Sequence, residues 1–116
     1  MKLTQTNRQT ANMLTKNFTT MGDFDLIVSI VCPDDDSIKP INENHLVVKM
    51  WDIDEPLENK FRKYEPPSYA DCSKIIKFID NYIYKNRKAD ISILVHCDAG
   101  ISRSSAIALG ILWEYS

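Results

Sequence analysis

A chain of 116 residues is long enough for one hydrophobic core and too short for two, so residues 1–116 are expected to form a single domain. Its 44% apolar and 26% charged residues match an ordinary globular protein. A net charge of -2 leaves no basic excess for a nucleic-acid backbone or an anionic membrane. Apolar runs such as Ala106 to Trp113 fall well short of the roughly 18 residues of a membrane span. The polar start, Met1 to Asn7, lacks the apolar stretch of a secretory signal. A cytoplasmic chain is expected, with neither nucleic acid nor membrane as partner. Cys32, Cys72 and Cys97 form no C-x-x-C pair, which argues against a zinc site or a disulfide framework. Cys32 and Cys72 are therefore expected to be small buried hydrophobes.

Asn7 to about Asn17 is polar with Ala11, Met13 and Leu14 interspersed, and predicts a short helix capped by Asn7. Leu26 to Val31 is a β-branched apolar run closed by Cys32-Pro33 and Asp34-Asp35-Asp36, which predicts a buried strand ending in a solvated acidic turn. His45 to Met50 predicts a second strand running into Trp51-Asp52-Ile53-Asp54-Glu55-Pro56. Ser68 is placed to cap a helix in which Cys72, Ile75, Ile76, Ile79, Tyr82 and Ile83 recur at helical spacing. Ile91 to Val95 predicts another buried strand. Ala106 to Trp113 is apolar nearly all round, as a central helix would be. This order predicts an α/β fold with a largely parallel central sheet flanked by helices.

Val95 to Ser105 carries the chemistry, because it lies where a buried strand stops and a buried helix starts. Amide N–H groups at such a helix start, with the positive end of its dipole, make an anion site of phosphate size. The same field favours a thiolate at Cys97, which makes it the candidate nucleophile. Arg103 closes the segment with a planar fork able to hold two phosphoryl oxygens, a geometry lysine cannot supply. Gly100 lets the backbone turn closely around the anion.

The run His96-Cys97-Asp98-Ala99-Gly100-Ile101-Ser102-Arg103-Ser104 resembles the H-C-x5-R-S/T signature of the protein tyrosine phosphatase superfamily, and looks most like its dual-specificity branch. The resemblance covers roughly Leu26 to the end. It implies that Cys97 attacks phosphorus to form a phosphocysteine. Arg103 and the amides of Asp98, Ala99, Gly100, Ile101 and Ser102 would bind the transferred group, Ser104 would assist thiolate release, and His96 would order the loop. The family keeps a general-acid aspartate on a loop after an upstream strand, which points to Asp52, with Asp54 as the alternative. No metal or cofactor is implied.

No lysine or arginine occupies Asp98, Ala99, Ile101 or Ser102, so a phosphorylated protein is expected as substrate in preference to a polyphosphorylated headgroup. Relatives usually continue through further helices beyond the point corresponding to Ser116. The chain is accordingly expected to be a C-terminally truncated fragment, or to have its last helix covered by a partner or by the N-terminal segment. Two other readings stand beside the phosphatase: a phosphate-binding module without turnover, and a different cysteine–arginine enzyme such as an arsenate reductase or sulfurtransferase.

Overall fold

A computed structural model describes residues 1–50, 69–88, 90–98 and 103–115. Strand β1 (Lys2–Asn7) leads directly into helix α1 (Arg8–Leu14), followed by β2 (Leu26–Val31), β3 (His45–Lys49), α2 (Tyr69–Asn86), β4 (Ser92–Cys97) and α3 (Arg103–Glu114). The sheet has the order β1-β4-β2-β3 and every pairing is parallel. The fold is thus α/β with a four-stranded parallel sheet and three helices. Among the described residues, no helix is long and apolar enough to cross a membrane.

Side-chain alternation along the strands divides the core in two. Leu26, Val28 and Ile30 of β2, with Ile93, Val95 and Cys97 of β4, pack against Ile75 and Ile79 of α2 and Ile107 and Ile111 of α3. Ile27 and Leu94 face the other way, onto Ala11 of α1 and the segment carrying Phe18, Met21 and Phe24. β2 is buried throughout and β4 nearly so, with mostly apolar residues, because both their faces are covered. β1 and β4 are neighbours, yet the helices that follow them pack on opposite faces. Such a divergence opens a crevice at the carboxyl ends of the two strands.

The strands β2, β3 and β4 and all three helices lie where the sequence places them, while β1 is an addition. Its half-polar Leu3-Thr4-Gln5-Thr6 becomes a strand through pairing with β4, from Lys2 opposite Ser92 to Asn7 opposite Cys97. Asn7 does cap α1, its side chain accepting from the Thr10 amide at 2.8 Å. The Ser68 cap expected for α2 lies outside the described residues.

Three expectations are corrected. α3 is not buried all round: Arg103, Ser104, Ile107, Ala108 and Ile111 face inward, whereas Leu109, Leu112 and Trp113 are exposed. The N-terminal segment does not cover that outer face, because it is committed to the sheet edge as β1. Cys72 is exposed, on the rim of a cleft between α2 and α3. Cys32 is only half-buried, because β2 ends at the residue before it.

The turn after α1 is tightly wound. Lys16, Asn17 and Phe18 have φ of 49°, 58° and 60° in succession, a conformation that L-residues adopt at a cost. Buried Thr15 braces this turn, its hydroxyl donating to the Ala11 carbonyl at 2.7 Å and accepting from the Phe18 amide at 3.0 Å. Gly22 follows at φ 56°, where a Cβ would come within 2.5 Å of the Leu14 carbonyl oxygen. The reversal delivers Phe18 to the polar cluster described below.

Candidate active site at the carboxyl ends of β1 and β4

Cys97 ends β4 and Arg103 begins α3, and both side chains are buried. Strand alternation sends Cys97 to the α3 face, where its thiol donates to the Ser104 hydroxyl at 3.1 Å. Ser104 is fully buried in the first turn of α3. The guanidinium of Arg103 is held at its Nη1, which donates to the Met50 carbonyl at 3.2 Å and approaches Cys32 Sγ at 3.5 Å. Its Nη2 lies 3.6 Å from a carboxylate oxygen of Asp98. Of the signature residues, the structure therefore brings Cys97, Asp98, Arg103 and Ser104 together. Ala99, Gly100, Ile101 and Ser102 lie outside the described residues, as do Asp52 and Asp54.

His96 alternates to the opposite face of the sheet from Cys97, into a buried polar cluster. Ser29 Oγ lies 2.6 Å from His96 Nε2 and 2.8 Å from His45 Nε2. The hydrogen-bond pattern assigns the proton of His45. The Ile41 amide donates to His45 Nδ1 at 3.0 Å, so the neutral His45 ring carries its hydrogen on Nε2 and donates to Ser29. The same Ser29 hydroxyl also bonds His96 Nε2, so that one oxygen bridges the two rings. Phe18 covers both rings, with centroids 5.7 Å from His45 and 5.1 Å from His96. Burial lowers both histidines to about 4, for His96 against a smaller upward pull from the Cys97 backbone. Both rings are neutral at physiological pH. His96 is thus tied through Ser29 to β2 and, by way of His45, to β3; residues 99–102, the loop it was expected to order, lie outside the described residues.

Three contributors were not legible in the motif. Gln5 of β1 donates its Nε2 hydrogen to Ser104 Oγ at 2.8 Å. Arg8, at the start of α1, donates to Asp98 at 3.2 Å and to Asp35 at 2.7 Å, and its other terminal nitrogen bonds the Ser37 hydroxyl. The Arg8 amide also donates to the Asp98 carbonyl at 3.2 Å. Asp98 is consequently held between two arginines from different elements. Hydrogen bonds from Ser37 and Arg8 hold the Asp35 carboxyl well below the usual carboxylate range, so part of the acidic triplet is a brace and not merely a solvated turn. Cys32 is the third, its sulfur meeting Arg103. The polar run Thr4-Gln5-Thr6-Asn7 carries no alternation that would mark a strand, and nothing in it specifies a partner.

Taken together, a buried thiol, a hydroxyl in contact with it and a braced guanidinium at the meeting of a strand end and a helix start form a compact group. Nucleophilic attack on a tetrahedral oxyanion is the chemistry it suits. No model of a known protein family matches the chain, and neither a curated protein nor a solved structure matches it.

Proposed function

We propose that the chain is a cysteine-dependent phosphatase domain that hydrolyses phosphate esters on protein side chains through a phosphocysteine intermediate. The observation that carries this reading is the contact between Cys97 Sγ and Ser104 Oγ at 3.1 Å, with Arg103 buried at the first position of the same helix. A thiol that merely fills a core has no need of a hydroxyl and a braced arginine across a strand-to-helix junction.

Cys97 attacks phosphorus, the phosphorus–oxygen bond to the leaving group breaks, and a phosphocysteine forms. Arg103 receives charge on the equatorial oxygens while its other edge stays fixed on Met50. Asp52, or Asp54, protonates the leaving oxygen and later accepts a proton from the attacking water. Water then bonds to phosphorus as the electron pair of the P–S bond returns to Cys97 Sγ, and Ser104 stabilises that charge. A phosphorylated protein is the substrate class, since the signature segment brings no basic side chain besides Arg103 and the nearby Arg8 is paired with Asp35 and Asp98.

Hydrolysis of para-nitrophenyl phosphate in the presence of EDTA tests the reading. Turnover abolished by Cys97→Ser and strongly impaired by Asp52→Ala is the expected result. An unimpaired Asp52→Ala variant makes Asp54 the acid. A folded chain with no turnover overturns the enzyme reading, and retained vanadate binding by that chain would identify a phosphate-binding module.

A further inference from the structure

We propose that Gln5 is a positioning residue that sets the proton of Ser104 toward Cys97, so that the edge strand β1 governs how well the cysteine serves as a leaving group. The inference rests on the phosphatase reading for its kinetic consequence, although the hydrogen-bond relay itself does not depend on it.

The geometry begins with alternation. Leu3 packs into the core on the α2 and α3 side, and Gln5, two residues on, shares that face and reaches the first turn of α3. There its amide nitrogen lies 2.8 Å from Ser104 Oγ, while Cys97 Sγ lies 3.1 Å from the same oxygen on the strand next door. Ser104 is fully buried, so its hydroxyl interacts with these groups and not with bulk water. A hydroxyl has one hydrogen to donate and two lone pairs with which to accept.

In the thiol state Ser104 accepts from both Gln5 and Cys97. In the thiolate state the sulfur no longer carries a hydrogen, and the Ser104 hydrogen turns to it. Gln5 continues to donate to the oxygen, which polarises the O–H bond and strengthens its donation to sulfur. The amide also occupies the acceptor side of Ser104, so that the hydroxyl hydrogen has no reason to point toward β1. Phosphocysteine breakdown returns an electron pair to Cys97 Sγ as water bonds to phosphorus, and this is the step at which donation from Ser104 counts most.

Two substitutions of similar size separate donation from packing. Gln5→Met fills the space without a donor. Gln5→Glu offers only acceptors when ionised, and would pull the Ser104 hydrogen away from sulfur. The thiolate is followed by its ultraviolet absorbance as pH is raised, each variant being compared with its own Cys97→Ser counterpart. The titration midpoint is expected to move upward by about half a unit for Gln5→Met, and further for Gln5→Glu. In rapid-mixing hydrolysis of para-nitrophenyl phosphate, the variants are expected to release a burst of nitrophenol followed by a steady state roughly three- to tenfold slower than wild type.

Both effects should vanish in a Ser104→Ala background, where Gln5 has no hydroxyl to orient. Equal effects of the Gln5 variants with and without Ser104 would overturn the proposal, as would an unmoved titration midpoint in folded Gln5→Met and Gln5→Glu chains. A wild-type chain that shows no turnover defeats the phosphatase reading alone, because the titration still decides the link from Gln5 to Cys97.

Discussion

Arg103 Nη1 donates to the carbonyl oxygen of Met50 at 3.2 Å, tying the first residue of α3 to the residue just beyond β3. The same guanidinium reaches Asp98 through Nη2. One side chain thus joins β3, the end of β4 and α3. Lysine carries the charge but only a single nitrogen, which cannot brace on Met50 and hold two phosphoryl oxygens together. Arg103→Lys is expected to retain the fold and to lower turnover of para-nitrophenyl phosphate by roughly a hundredfold or more. Steady-state kinetics beside a circular dichroism melt would check both halves of that statement.

Ser29 links His45 and His96, and its removal leaves two buried rings short of a hydrogen bond. Ser29→Ala is expected to cost about 1–3 kcal/mol, since an unsatisfied buried polar group loses its hydration without replacement. A urea denaturation series with unchanged slope and a lower midpoint would establish it.

Acid should destabilise the protein through this same cluster. Both histidines are lowered to about 4 by burial, against 6.5 in an unfolded chain. Between these values the unfolded chain binds protons that the folded one does not, so stability rises with pH. The contribution is complete above about 6.5 and is lost as pH falls toward about 4. Thermal melts across that window should show a falling midpoint that is partly relieved in His45→Gln, whose side chain does not titrate while His96 still does.

The left-handed turn after α1 makes a prediction of opposite sign. Lys16 is exposed and holds a φ of 49°. Lys16→Gly removes the steric cost of that conformation, about 1–2 kcal/mol, and gives back part of it as added freedom of the unfolded chain. A small net stabilisation is expected in chemical denaturation. Gly22→Ala should be destabilising in the same assay, because its Cβ would meet the Leu14 carbonyl.

The sequence by itself determined the parts whose signal is local. The mostly apolar runs of β2 and β4 announce strands covered on both faces, and the spacing of Ile75 and Ile79 announces a helix lying on a sheet. His96 to Ser104 likewise placed Cys97 and Arg103 at a strand-to-helix junction, because the spacing of such a motif is written along the chain. Only the tertiary structure decided what reaches that junction from elsewhere. β1 is a half-polar segment whose identity as a strand comes from its pairing with β4, about 90 residues later in the chain. Gln5 and Arg8 therefore arrive at Ser104 and Asp98 through a contact that no local pattern encodes. The partners of His96 were equally hidden: adjacent strand residues point to opposite faces, and the structure alone sets Ser29 beside His96 on one face and Ser104 beside Cys97 on the other.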